Sequence, residues 1–358
     1  MIAIQETRRR TSEVATPSHF EADRMRTLAR YVVSTSAATA LLAGCGGSQP
    51  PIGAPGAMPQ SRAVATHAER GGSWMLPEAK GEDLLYVTNL NAGTVTVYDY
   101  QNHDLVGTLD IVPTLGECVD RSENVYVTGS PGVVEYAHGG TEPIRKITDA
   151  YGDPYACSVN KSGHVAVANF SGPEGYPGNV TVYGNETIKM YSSQVISYYS
   201  ACGYDPDGNL LVGGWPNSGS GHGVAFAILP KGGSKLINVS LGSSSQSWPY
   251  VGAIQWDGKY WAISVPGEYN EDVYRFSIAN GKAKAEGRTT LYVVQEGQGL
   301  AWIVNLSGDI HTQGTQIITG EGEANEVQYF KYPAGKKATA SITDSGYPAG
   351  LAVSLAPK

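Results

Sequence analysis

An all-β ring of six small antiparallel sheets, a β-propeller, is the fold this sequence predicts, and three observations predict it. First, one unit recurs along the chain: two short strands around a polar turn, at 116–129, 154–167, 200–212, 249–263 and 299–310. Its turn residues Asp120, Asn160, Asp205, Gln255 and Asn305 are spaced by 40, 45, 50 and 50 residues, a period that suits one four-stranded sheet per repeat. Second, the composition is 41% hydrophobic and only 16% charged, with 45 Gly and 22 Tyr, which fits many short strands and tight turns better than helices. Third, the first sheet lacks an inner strand, whereas 348–358 is an inner strand without a successor. The C-terminal strand is therefore expected to complete the N-terminal sheet and close the ring, leaving no long open edge.

Taken in order, residues 1–44 read as a lipoprotein signal peptide, with Met25 as an alternative translation start. Arg24, Arg26 and Arg30 precede a modest apolar run, Tyr31 to Ala43, and Leu42-Ala43-Gly44-Cys45 fits a lipobox, small residues before a Cys that is lipidated and becomes the new N-terminus. The run is too short and too rich in Ser and Thr to be a stable spanning helix. Residues 45–79 are expected to be the lipidated Cys45 and a flexible Gly/Pro/Ala/Ser tether, and 80–358 the propeller. Gly46, in place of Asp after Cys45, points to the outer membrane within the cell envelope, facing the periplasm. Cutting before Cys45 removes six of the 25 Lys/Arg and four of the 33 Asp/Glu, leaving 19 against 29, a net of −10. An acidic domain without a basic run is a poor partner for nucleic acid.

Within the propeller, the first blade has strands at Leu84 to Thr88, Thr94 to Tyr98 and Asp104 to Asp110, the second of these with a clear period of two. Third strands ending in an aromatic recur at Val133 to Tyr136, Asn179 to Tyr183, Val224 to Phe226, Asp272 to Phe276 and Val327 to Phe330. Gly350-Leu-Ala-Val-Ser354 and Gly116-Glu-Cys-Val-Asp120, each followed by a turn and an apolar strand, together with Asn91 to Asp99, resemble the NHL-repeat signature. That resemblance implies a six-bladed ring whose ligand face lies at one mouth of the central channel.

Cys118 and Cys157 lie on neighbouring inner strands in adjacent columns, so they can meet across a blade interface and oxidise outside the cytoplasm; the other reading is that they and Cys202 are small buried apolar residues. Asp205-Pro-Asp207-Gly-Asn209 lacks the further oxygen ligands of a calcium loop and reads as a hairpin turn. No cofactor is expected, and no nucleophile elbow is present.

The pattern that points to function is aromatic. Loops entering the inner strands and loops joining second to third strands open on one mouth of the ring. They carry Tyr151, Tyr155, Tyr198, Tyr199, Trp248, Tyr250 and Tyr347 in the first set, and Tyr176, Trp215, His222 and Tyr269 in the second. Flat rings beside polar loops suit a sugar, a peptide or a partner surface. Expected ligand-binding residues are Tyr155, Tyr176, Tyr199, Trp215, Trp248, Tyr250, Tyr269 and Tyr347, for a glycan, peptide or protein partner. The alternative is a metal-dependent lactonase or hydrolase resembling the gluconolactonase-like propellers, with Glu117 and Glu296 as channel carboxylates.

Overall fold

The computed structural model describes residues 72–357, save 112, 130–131, 218–222, 243–247, 268–269, 294–301, 305–312 and 345. The signal segment, Cys45, most of the expected tether, His222, Tyr269 and Glu296 lie outside the described residues. Six antiparallel sheets make six blades, each running outward from an inner strand. The inner strands are Pro348–Ser354, Pro113–Val119, Pro154–Val159, Ile196–Tyr204, Ile254–Trp256 and Trp302–Val304 for blades one to six.

The ring closes as the unpaired ends of the chain require. Leu85 pairs with Val353, Tyr86 with Ala352 and Val87 with Leu351, so the last strand of the chain is the innermost strand of the first blade. Its far end is tied to the second blade. The Ser354 hydroxyl donates to the Glu123 carbonyl (2.7 Å), and the Leu355 amide donates to the Glu123 carboxylate (2.7 Å).

The core is divided into wedges rather than gathered at one centre. Among the described residues there are six buried apolar clusters, and each fills the interface between two neighbouring blades. Strand Leu84–Asn89 is buried at every position. Leu84 and Tyr86 face the second blade while Leu85 and Val87 face the sixth, because successive side chains point to opposite faces of a strand. Each fully buried Leu or Val contributes roughly 1.5–3 kcal/mol, so a strand shared by two wedges supports both.

Inner strands approach one another closely, and this explains the glycine that opens the repeat. A Cβ at Gly116 would lie 2.6 Å from the Ala156 Cα, and one at Gly350 would lie 2.1 Å from the Leu115 carbonyl. At both places the inner strand bulges, and a hydroxyl on the second strand receives the displaced amide: Gly116 N–H donates to Thr128 Oγ1 (2.9 Å) and Gly350 N–H to Thr88 Oγ1 (2.6 Å). A second repeated device is a buried carboxylate just ahead of the inner strand. Asp344 accepts from Asn89 (3.3 Å), Thr96 (2.6 Å) and Tyr98 (2.8 Å), and Asp149 accepts from Asn169 (3.2 Å) and the Tyr151 amide (2.8 Å). Both sit in the shared text Ile-Thr-Asp followed shortly by Tyr.

Cys118 and Cys157 form a disulfide between blades two and three (S–S 2.08 Å), and Cys202 is a buried free thiol. Closing a loop with a sequence separation of 39 restricts the unfolded chain by about 3–4 kcal/mol in the chain-entropy account.

Three expectations need correction. In the fifth blade the turn residue is Asp257, which accepts from the amides of Lys259 and Tyr260, whereas Gln255 pairs with Ala262 inside the sheet. In the sixth blade the strand that pairs with the inner strand is Gln316–Glu321, further along the chain than a tight turn at Asn305 implies; Ile310 lies outside the described residues. The propeller also begins before residue 80: Trp74–Met75 adds to the outer edge of blade one, and Trp74, Leu76 and Ala79 are buried in its wedge.

Removing residues 348–358 exposes the edge of Leu84–Asn89 and opens two wedges. We expect the truncated chain to lose its cooperative thermal transition and to elute as aggregate in size-exclusion chromatography, while the full chain stays monodisperse.

Candidate functional site

In each blade the chain enters the inner strand and leaves the second strand at the same end, here termed the upper mouth. Over blades three and four that end carries five connected rings. Tyr155, at the start of one inner strand, stacks on Phe170 with centroids 5.2 Å apart. Phe170 lies 4.9 Å from Tyr198 and 5.3 Å, edge-on, from Trp215. Tyr198 lies 5.4 Å from Trp215 and 4.5 Å from Tyr176. Edge-to-face and tilted contacts at these separations are mutually favourable, about 0.5–1.5 kcal/mol per pair beyond area burial.

Local hydrogen bonds fix the rings. The Trp215 indole N–H donates to the Pro249 carbonyl (3.1 Å). Gly178, two residues after Tyr176, donates its amide to the Ser197 carbonyl (2.7 Å), holding the blade-three loop against blade four. Asp153 and Ser171 exchange main-chain bonds with their neighbours (Asp153 N–H to the Ser171 carbonyl, 3.0 Å; Phe170 N–H to the Asp153 carbonyl, 2.9 Å), and the Ser171 hydroxyl donates to the Asp153 carboxylate. The outcome is a rigid apolar shelf with a carboxylate and a hydroxyl at its edge. Tyr176 is its exposed member, 53% accessible, and the other four rings are half-buried. Burial raises the Tyr155 hydroxyl well above its ordinary pKa of 10.0, so it stays un-ionised.

Of the eight aromatic residues read from the sequence, Tyr155, Tyr176 and Trp215 come together here. Tyr199 is fully buried in the wedge between blades three and four, where its hydroxyl accepts from the Ser193 amide (2.6 Å). Trp248 is buried in the wedge between blades four and five, stacked on Tyr274 at 4.6 Å. Both pack inside blade interfaces, Tyr199 from the inner strand of blade four and Trp248 from the connection that enters blade five. Tyr250 is half-buried at the entry to blade five. Tyr347 lies across the ring, over Gly322, with its hydroxyl donating to Glu323 (3.5 Å). Phe170 was missed in the sequence; its signal was its place immediately after a second strand, in the same upper-mouth position as Trp215.

The channel is different in character. Glu117 is 5% exposed and, among the described residues, neither carboxylate oxygen has a hydrogen-bond partner. Burial pushes its pKa well above the ordinary 4.5. It borders a cavity of about 40 Å³ whose walls include Ala156, Cys157, Cys202, Gly252 and Leu351, room for about two or three waters. Burial also pushes the Cys202 thiol up to about 12, so it is inert as a nucleophile at neutral pH. Among the described residues no group of three or more His, Cys, Asp or Glu is placed to hold a metal, and Glu296, the second acid of the lactonase alternative, lies outside them.

No family model matches this chain, and no curated protein matches it. Solved structures do. A protein of unknown function from Bacteroides caccae aligns over 76% of this chain and 99% of its own, at 10% identity and a TM-score of 0.53. A functionally unknown protein from Desulfotomaculum acetoxidans aligns over 77% of this chain and 100% of its own at 12% identity (TM-score 0.49), and hydrazine synthase of Kuenenia stuttgartiensis over 73% and 76% at 16% identity (TM-score 0.46). At such identities the likeness concerns the fold, and the chain is a six-bladed β-propeller.

A carboxyl with a raised folded-state pKa favours the folded state while protonated; that stability is fully present below about 4.5 and is lost as pH rises toward the folded value. Glu117→Gln is therefore expected to flatten part of the stability loss as pH rises from about 4.5 through neutrality, by about 1.4 kcal/mol per pKa unit of elevation traversed. Urea unfolding of both proteins across that range measures it.

Proposed function

We propose that this protein is a binding module of the cell envelope that holds a neutral, hydroxyl-rich ligand, a glycan, on the aromatic shelf at its upper mouth. The observation that carries this reading is the set of five connected rings from two adjacent blades, with Tyr176 open to solvent and Asp153 and Ser171 beside them. Sugar rings present flat C–H faces to aromatic planes and hydroxyls to carboxylates, which is the chemistry this surface offers. Charge supports a neutral ligand, since the segment from Cys45 onward carries a net of −10 and would repel a polyanion. The cavity beside Glu117 is about 40 Å³, small against the roughly 300–1,000 Å³ of small-molecule pockets.

The NHL-like motifs belong to this reading, as does delivery by the lipobox at Leu42–Cys45, with a lipid on Cys45 tethering the domain to the membrane. A panel of soluble oligosaccharides titrated calorimetrically into the full chain tests the ligand. Trp215→Ala and Tyr198→Ala are each expected to weaken binding by about tenfold, while Tyr292→Ala, at an exposed outer-strand position, leaves it unchanged. For the anchor, Cys45→Ser is expected to abolish incorporation of an alkyne-tagged fatty acid and to move the protein from the detergent phase to the aqueous phase on Triton X-114 partition.

A further inference from the structure

The wedge between blades five and six is apolar along most of its length and polar at its upper end. Ala262 and Val273 of blade five pack on Ile317 and Phe330 of blade six. Side chains two and four positions along each strand face the same way, so Ser264 and Glu271 look across at Thr319, Glu321, Gln328 and Glu326. Glu271 is 4% exposed, Glu321 1% and Gln328 3%.

This polar end is made of acceptors. Glu271 Oε1, Glu321 Oε2 and Gln328 Oε1 have no hydrogen-bond partner among the described residues. The Gln328 amide N–H is spent on Glu326 (3.2 Å), which fixes its oxygen in place. Glu321 stands close enough for its charge to act on Glu271, Asp272 adds to the charge on Glu271, and Glu326 adds to that on Glu321. Burial is the first cause in both cases and pushes Glu271 up to about 8 and Glu321 to about 7, with Ser264 and Thr319 partly offsetting it. Nearby cations are engaged elsewhere: Arg288 pairs with Asp272 (3.7 Å), and Arg275, further down the same face, lies over the Tyr332 ring at 6.0 Å.

Two carboxylates buried without a counter-ion are costly unless something positive joins them. A proton on each would neutralise the acids. A carboxyl O–H could also serve the bare Gln328 oxygen on the same face; a single cation would serve all three oxygens at once. Carboxylate, amide and hydroxyl oxygens from two facing elements are the ligand set of a hard cation, and calcium tolerates the irregular, partly hydrated geometry that side chains from two separate sheets provide better than magnesium does. We propose that the upper end of the blade five–six wedge binds a divalent cation, calcium in preference to magnesium, through Glu271, Glu321 and the Gln328 amide oxygen. The ion clamps the two blades together, and its binding is independent of what the aromatic shelf holds on blades three and four.

The test uses the full chain, stripped with EDTA, in thermal unfolding and calorimetric titration with calcium chloride and with magnesium chloride. Calcium at about 5 mM is expected to raise Tm by at least about 4 °C, as ligation of the folded state alone requires, with a smaller rise for magnesium. Glu271→Gln and Glu321→Gln, which preserve shape, are expected to remove the calcium response. Gln328→Leu, which keeps both acids, is expected to weaken calcium binding about tenfold. The proposal is overturned if calcium does not shift the wild-type Tm, or if the shift survives both Glu→Gln variants. It is equally overturned if the only response removed by those variants is a calcium-independent fall of Tm with rising pH, since the pair is then discharged by protons.

Discussion

Everything in this molecule depends on the pairing of Pro348–Ser354 with Leu84–Asn89. A blade buries both of its faces only if it has a neighbour on each side, so an open row of six sheets would leave two faces in water. Hydrogen bonds between the two ends of the domain turn that row into a ring and create the sixth wedge, in which Leu85, Val87 and Val353 meet Ile318, Val327 and Tyr329. Asp344 secures the join, since it gathers Asn89, Thr96 and Tyr98 of the first blade from a position on the segment that enters the last strand. A buried carboxylate with several donors is well satisfied, and removing it would strand the Tyr98 hydroxyl and leave Asn89 and Thr96 with only their weaker local bonds.

Wedge geometry also explains why polar chemistry collects at the upper mouth. Side chains deep in each interface have no access to water and are apolar almost throughout. Near the mouth the same strand faces carry Asn169 with Asp149, Ser264 with Glu271, and Thr319 with Glu321. Where the carboxylate itself is met by several donors, as at Asp149 and Asp344, the group works as a latch, even though Asn89 Oδ1 and Asn169 Oδ1 beside them have no partner among the described residues. Where acceptors are in excess, as around Glu271 and Glu321, it has the character of a site.

How much of this was legible in the sequence follows from what is local and what is not. The repeat was readable because each unit is a hairpin: an Asp or Asn turn, flanked by alternating residues, is stabilised by neighbours in the chain, as Asp120, Asn160 and Asp205 show. It failed where the unit is stretched, since nothing in the text around Asn305 signals that the next strand begins at Gln316. Trp74 and Met75 were unreadable for the opposite reason: a two-residue strand has no period, and only the outer edge of blade one gives it a partner. For the mouth, the loops that share it could be named, but not which ring turns inward. Tyr198 and Tyr199 are adjacent and point to opposite faces, one to the shelf and one to the wedge. Glu271 and Glu321 lie on different blades, and only stacking brings them face to face.

Glu117 and the upper mouth differ in what each can offer a ligand. A ligand in the channel would have to fit a space with room for about two or three waters, lie beside a carboxyl whose pKa burial raises, and pass inner strands so close that Gly116 and Gly350 have no room for a methyl group. The channel is narrow because those glycines let the strands converge, and convergence is what the six wedges need to stay dry. A tight centre therefore pushes chemistry outward to the loops, whose lengths can change without disturbing the wedges. In blades three and four that freedom has been used for rings, and in blades five and six for oxygens; the two ends of the ring differ in surface chemistry while sharing one way of packing.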